Sequence, residues 1–407
     1  MMEQKKKNLG LIFFFVFIDL LGYSLILPLL PYYADEYGAT PFIIGLIGTI
    51  NALGQLIAAP VIGRLSDRYG RRPLLIFSIT GTVVSFLILG FANTLFLLIL
   101  SRFLDGILGG NVSLAKAYIT DITDDQDRAK SLGLIGAAFG LGFIIGPVIG
   151  GTLANFGYNV PAFVAAGLSF INLVLVIFRL PESLSAEARE KQRTSPQTRF
   201  TLQLLVNELK RPCVGLLLQM QLIYNLAFTL FTANFSLFAK TALNFSAQTT
   251  AYLLTLVGVI QVIMQGFLIG KLTAKFKERA LLMVGTIGLS VGLLLYAFTQ
   301  NLVWMIISLV PISVSAGLAG TLLTSQLSKS TLKEDVGGTL GLSASTQTIA
   351  QIVCPALGGF LIAELGGWAV GVLAAVLMAA VVMMLYTRLS VLPEPCSDKS
   401  AAASRTS

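Results

Sequence analysis

Asp19 stands inside an apolar run from Leu9 to about Tyr32, and Arg102 and Asp105 stand inside another that begins near Leu95. A charge at the centre of a bilayer costs several kcal/mol, so such residues mark pathways or pair with one another. Asp19 is about ten residues into its run, ~15 Å deep at 1.5 Å per residue. By the same rise Arg102 is ~11 Å and Asp105 ~15 Å below the start of theirs. The two carboxylates therefore share a depth near the midplane, with Arg102 one turn further out. The chain contains no histidine, the side chain that ordinarily changes charge near neutral pH. Proton exchange inside the membrane is left to carboxylates or lysine, and Asp19 is the first candidate, with Asp105 its competitor. Two readings of Arg102 follow. It can tie Asp19 to Asp105 in one proton-coupling group. Alternatively it neutralises Asp105 at i, i+3 as a structural pair, which leaves Asp19 unexplained. At ~100° per residue Arg102, Asp105, Gly109 and Lys116 share one stripe of a continuous helix. Lys116, near the inner end, reads as snorkelling to the interface.

The second half of the chain offers amides and hydroxyls instead. Gln219, Tyr224 and Asn225 lie in one apolar run, Gln261 and Gln265 in the next, and Gln347 and Gln351 in a later one. The i, i+4 spacing puts each glutamine pair on one helix face. Such groups serve as polar glue between helices or line a solute pathway, and both roles are expected here.

A third constellation is the segment GRLSDRYGRR at 63–72. Arg64, Arg68, Arg71 and Arg72 surround Asp67, an acid that a simple topology signal would not need. Gly63 and Gly70 allow a tight turn and close approach. An acid among arginines suits a charge-paired latch on the cytoplasmic face.

Long apolar helices must position these groups. The chain has 407 residues, 55% of them hydrophobic and 12% charged, against roughly 25% charged in soluble proteins. Runs of ~20 apolar residues, enough for a span, fall near 9–32, 42–62, 74–92, 95–119, 131–155 and 160–180. A polar stretch, 181–211, follows. Six more runs fall near 213–238, 248–270, 280–298, 302–326, 339–364 and 368–388. The tail 389–407 is polar and expected to be disordered. The first run is too long for a signal peptide and has no cleavage site after it. Loop cations collect on one side: Arg64, Arg68, Arg71, Arg72, Arg128, Lys130, Arg189, Lys191, Arg193, Lys271, Lys275, Lys277, Arg279, Lys329 and Lys333. The other side holds Lys240, beside Asp35, Glu36 and Glu364. That bias places both termini in the cytoplasm. The net charge of +8 is thus a topology signal and excludes a nucleic-acid role, since no aromatic-interleaved basic patch occurs. Cys213, Cys354 and Cys396 form no expected disulfide or metal site.

Residues 63–72 align with 270–279 (GKLTAKFKER) at an offset of 207, and 146–151 (GPVIGG) with 354–359 (CPALGG) at 208. The near-constant offset implies an internal repeat. The expected architecture is all-α: twelve transmembrane helices in two pseudo-symmetric six-helix bundles, 1–180 and 212–388. Parallel repeats place a solute site near the midplane.

The 63–72 segment resembles the signature of the major facilitator superfamily. GPVIGG, with Gly146, Pro147, Gly150 and Gly151, preceded by Gly136, Gly140 and Gly142, resembles the antiporter motif of its twelve-span drug:proton antiporter branch. Glycines by themselves also explain close helix packing. Arg102 in SRFLDG and Asp19 in IDLLGY, followed by Pro28 and Pro31, resemble that branch's motifs in spans four and one. GNVSLAKAYITD at 110–121 is similar to tetracycline-efflux-type proteins. The resemblance covers essentially the whole chain. It implies a latch at Asp67 facing the N-terminus of span eleven, and a pairing of Asp121 with an arginine of the same segment. Two positions depart from the pattern: Ala274 stands where the second copy would carry the latch acid, and Asp105 stands where glutamine is more usual.

These residues define an expectation of secondary transport: proton-coupled efflux of a small amphipathic organic compound by a monomer in the inner or plasma membrane, without a cofactor. A facilitator or proton symporter for a sugar or other metabolite is the alternative, and a non-transporting receptor on the same fold a third. No phosphate-binding loop, histidine–cysteine cluster or other enzyme signature is present.

Overall fold

In lipid every backbone polar group must be bonded internally, which leaves helices as the form available to apolar runs of this length. The computed structural model describes residues 2–184, 214–331 and 336–388, and all regular structure among them is helical. Among the described residues twelve helices are long and apolar enough to cross a membrane. Spans one to six are Leu9–Asp35, Pro41–Tyr69, Arg71–Gly90, Leu95–Ile122, Ser131–Phe156 and Asn159–Arg179. Spans seven to twelve are Val214–Leu243, Ala247–Lys275, Glu278–Ala297, Leu302–Lys329, Gly338–Glu364 and Trp368–Thr387. Most of the polar linker, Cys213, Cys396, Arg189, Lys191, Arg193, Lys333, the side chains of Arg128 and Lys130, and the tail from 389 lie outside the described residues.

Several helix starts follow from capping side chains. Thr40, Thr94 and Asn301 each accept a hydrogen bond from the backbone N–H three residues on, at 3.4, 3.4 and 3.0 Å, and so begin spans two, four and ten. Span one tightens to a 3-10 turn at Leu27–Leu29, which contains Pro28, before resuming as Leu30–Asp35, which contains Pro31, because proline removes an intrahelical donor. Span eight contains a π-helical turn, Met264–Leu268. Gln261 lies in the α-helix before this turn and Gln265 inside it, so their expected i, i+4 alignment is altered there.

Two expectations need correction. Span four is not a continuous helix. It breaks at Gly109–Gly110 into Leu95–Leu108 and Asn111–Ile122, so the stripe through Arg102, Asp105, Gly109 and Lys116 does not run its length. Arg102 and Asp105 are buried, whereas Lys116 is exposed. The segment 63–72 is also not a loop. Span two stays helical to Tyr69, and the reversal is made at Gly70, whose φ of +107° is open to glycine and strained for other residues. A Cβ at Gly63 would meet nothing within 4 Å, so Gly63 makes neither a turn nor a close approach.

By internal contacts the chain forms two compact units, Met1–Gln197 with Ser236–Val259, and Thr198–Phe235 with Ile260–Ser407. In the first, span one packs along span five. Gly142, Gly146 and Gly150 meet the backbone or side chains of Leu20, Ser24 and Leu25, and Ser24 Oγ donates to Gly142 O at 2.8 Å. Span two crosses span four just as closely, with Gly54 against Gly106 and Gly106 against the Asn51 carbonyl. In the second unit, spans seven and nine meet through Phe231, Phe235 and Tyr296, whose rings lie 4.9–6.2 Å apart.

Candidate functional site

The three intramembrane charges come together in the first unit, at the break in span four. Asp19, partly exposed on span one, accepts a hydrogen bond from Asn111 Nδ2 at 2.6 Å. Asn111 also donates to Thr82 Oγ1 at 3.1 Å. Arg102, 4% exposed, places Nη1 3.4 Å from Asp105 Oδ2, Nη2 3.4 Å from Ser85 Oγ and Nε 3.4 Å from Ser101 Oγ. Its guanidinium lies over the Phe86 ring, 5.2 Å from the centroid. Asp105 Oδ2 also accepts from Asn51 Nδ2 at 3.1 Å, and Asn51 Oδ1 accepts from Gln55 at 2.9 Å. Among the described residues no ion pair joins Arg102 to Asp19; the arginine pairs with Asp105 and the amide of Asn111 holds Asp19.

A ladder of hydroxyls on span three fixes this arrangement. Ser78 Oγ donates to Leu108 O at 2.5 Å and accepts from Gly110 N at 2.9 Å, which satisfies backbone groups freed by the break. Thr82 meets Asn111, and Ser85 Oγ donates to Ser101 O at 2.5 Å. Sequence reasoning missed Asn51, Gln55, Ser78, Thr82, Ser85 and Asn111. The signal available was spacing: 78, 82 and 85, and 51 and 55, each fall on one helix face.

Where span two ends and span three begins, beside the C-terminal end of span four, lies the expected latch segment. Asp67 pairs with Arg71 Nη1 at 2.6 Å, and Arg71 Nε reaches Asp121 Oδ2 at 3.0 Å. Asp121 thus meets an arginine of the segment. Ser183 Oγ donates to the same carboxylate at 3.0 Å. Glu182 accepts from the backbone N–H groups of Arg71 and Arg72, at 2.8 and 3.2 Å, where an anion meets the positive end of span three. Arg72 Nη2 donates to Ile177 O at 2.5 Å, and Arg68 lies over its neighbour Tyr69.

Of the span-five glycines, Gly142, Gly146 and Gly150 receive span one, and Gly151 lies against Gln248 and Ala251. Gly136 is exposed with open space around it; Gly140 is half-buried and Pro147 buried within the helix. In the second unit Tyr224 OH donates to Ala316 O at 3.0 Å and Asn225 Nδ2 to Thr346 Oγ1 at 2.8 Å. Both act as ties between helices. Gln219, Gln265, Gln347 and Gln351 are exposed and Gln261 is half-buried.

A polytopic helical bundle with paired charges at mid-span is a membrane transporter's architecture. The family model of the Major Facilitator Superfamily matches residues 12–235 and 217–406, and the chain belongs to that superfamily. It is a multi-pass integral membrane protein of a family that transports small molecules. It is 30% identical over 345 residues to a tetracycline resistance protein, class C, of Escherichia coli, covering 84% of this chain and 86% of that one. It is 29% identical to multidrug resistance protein 2 of Bacillus subtilis, covering 85% and 86%. Human solute carrier family 67 member A1 is 27% identical, with 83% and 82% covered. The fold is similar to the crystal structure of the human organic anion transporter MFSD10 (TETRAN), at TM-score 0.69 and 21% identity over 94% of this chain and 99% of that one. It is also similar to a peptide transporter crystallised with sulfate, at TM-score 0.71 and 14% identity over 95% and 94%.

Proposed function

We propose that this protein exports small amphipathic organic compounds in exchange for protons, by alternating access, as a monomer in the inner or plasma membrane. The observation that carries the reading is Asp19: a partly exposed carboxylate at mid-span, held by an amide, in a group that also holds a buried Arg102–Asp105 pair. Asp19 is the proton carrier. Arg102 and Asp105 set the field around it, and substrate competes with the proton at the same site. The two related halves, 1–180 and 212–388, supply the alternation. Asp67, Arg71 and Asp121 act as the cytoplasmic latch, and the exposed glutamines of spans seven, eight and eleven face the solute path, since an exposed amide at that depth is poorly placed against lipid. The names of the tetracycline and multidrug resistance relatives support the substrate class and the outward direction.

The test is flux in proteoliposomes with an imposed pH gradient, against a panel of tetracyclines and lipophilic dyes. Acidification of the lumen should drive substrate uptake that a protonophore abolishes. Asp19→Asn should abolish the gradient-driven flux and the proton release on substrate addition, yet retain substrate binding and a monodisperse fold. Substrate flux insensitive to the gradient, or proton release at wild-type stoichiometry in the variant, refutes the coupling.

A further inference from the structure

Asn111 is the first residue of the inner segment of span four, immediately after the Gly109–Gly110 break. Its side chain is 5% exposed. The Nδ2 group donates to both Asp19 Oδ1 and Thr82 Oγ1, while Oδ1 is buried without a hydrogen-bond partner. Leaving a buried acceptor idle is costly, and native structures rarely keep one without a reason. Thr82 Oγ1 in turn donates to Ser78 O over 3.3 Å, a long bond within one helical turn.

This pattern fits one charge state of Asp19. An ionised carboxylate only accepts, and Asn111 Nδ2 supplies the donor. A protonated Asp19 becomes a donor and needs an acceptor, and the idle atom beside it is Asn111 Oδ1. A half-turn of the amide exchanges Oδ1 with Nδ2 at nearly constant volume. Oδ1 then accepts from the Asp19 O–H. The Thr82 hydroxyl, free to rotate, leaves Ser78 O and donates to Oδ1 as well. When the proton leaves to water, both groups return.

We propose that Asn111 is a positioning residue that responds to the charge of Asp19, donating to the carboxylate and accepting from the carboxylic acid, and so couples spans one, three and four at the break. The inference rests on the reading of Asp19 as the proton carrier. The ionisable groups around Asp19 are few. Asp105 faces it from span four, with Arg102 beside, and Tyr23 stands one turn along span one. Span five from 131 to 156, span six from 159 to 178 and span three from 73 to 90 carry no ionisable side chain. Lys116, on the same inner segment as Asn111, is exposed.

The experiment uses acid-induced infrared difference spectra of the full-length protein, together with the pH profile of exchange. Loss of a protonated-carboxyl band in Asp19→Asn identifies the Asp19 band. In Asn111→Leu, which has neither donor nor acceptor, that band should move to higher wavenumber as the acid loses its acceptor. In the isosteric Asn111→Asp, two carboxyl groups share one proton, and the pH of half-maximal exchange should rise by about one unit or more. The second variant keeps the test open where the leucine fails to fold. An unmoved band and an unmoved profile overturn the role of Asn111 and leave Asp19 standing. Wild-type proton release in Asp19→Asn overturns the coupling reading and this inference with it.

Discussion

Arg102 shows what one residue type contributes beyond its charge. Its three nitrogens meet Asp105, Ser85 and Ser101, and its plane covers Phe86. Lysine keeps the charge but loses the planar fork and the stacking. Hydrogen bonds to charged groups contribute about 1.5–3 kcal/mol, and 1.36 kcal/mol is tenfold in rate. Arg102→Lys should therefore lower the initial rate of exchange by tenfold or more at unchanged expression. Rates equal to wild type would reduce Arg102 to a neutralising charge. Asp19, Arg102 and Asp105 were legible in the sequence because a charge inside an apolar run is expensive and has few reasons to be there. Their partners were not. Asn111, Thr82 and Ser85 carry amides and hydroxyls that transmembrane helices tolerate widely, so nothing in their type separates a proton-site ligand from polar glue. Of the two readings of Arg102, the structure has the i, i+3 pair with Asp105, a choice the sequence left open because depth fixes a level and leaves the angle around the helix open. The structure fills that angle with Asn111.

Helices approach one another here through particular glycines, and the chain contains others that have no such duty. Gly106 has the Asn51 carbonyl where a Cβ would go, and Gly54 is packed against Gly106 in return. Backbone cannot step aside as a side-chain tip can, so Gly106→Ala must part spans two and four and disturb Asn51, which also holds Asp105. We expect a loss of about 2 kcal/mol or more, within the range for overpacked cores. Gly63 lies mid-helix with open space around it. Gly63→Ala should leave stability unchanged or raise it by up to about 1 kcal/mol through helix propensity. Thermal unfolding midpoints of the two variants in one detergent test the pair, and a Gly106→Ala midpoint equal to that of Gly63→Ala would show that spans two and four are not held in contact there. The sequence marked both glycines without telling them apart, since a glycine announces permission and not its use. The same ambiguity hid the break in span four. Gly109–Gly110 interrupts an apolar run that reads as one span by hydropathy, and only the hydroxyl ladder of span three reveals that the interruption is held in place.

At the scale of the whole chain hydropathy is a strong guide, because the bilayer demands the same length of apolar helix each time; the spans fall within a few residues of their expected centres and extend further at their polar ends, as span two does to Tyr69 and span eight to Lys275. Which side each end faces is a separate question, answered by charge. The twelve candidate spans among the described residues are an even number, so on that reading both termini should lie on one side. On that side the described residues place Arg64, Arg68, Arg71 and Arg72 where span two ends and span three begins, Lys271, Lys275, Lys277 and Arg279 where span eight ends and span nine begins, and Lys329 at the end of span ten. On the other side Lys240 pairs with Asp35 at 2.5 Å, so the loop cation there is neutralised. Moving a single cation against a membrane potential costs about 2.3 kcal/mol per 100 mV, and a cluster of four multiplies that, so the clustered side should be cytoplasmic. Single cysteines at exposed positions, in a background with Cys213, Cys354 and Cys396 replaced by alanine, test this directly. Asn93→Cys, between spans three and four, should react with a membrane-impermeant maleimide on intact cells. Lys277→Cys, between spans eight and nine, should react only after permeabilisation. The reverse pattern would invert the orientation, place the Asp67–Arg71–Asp121 cluster outside, and remove the basis for reading it as a cytoplasmic latch.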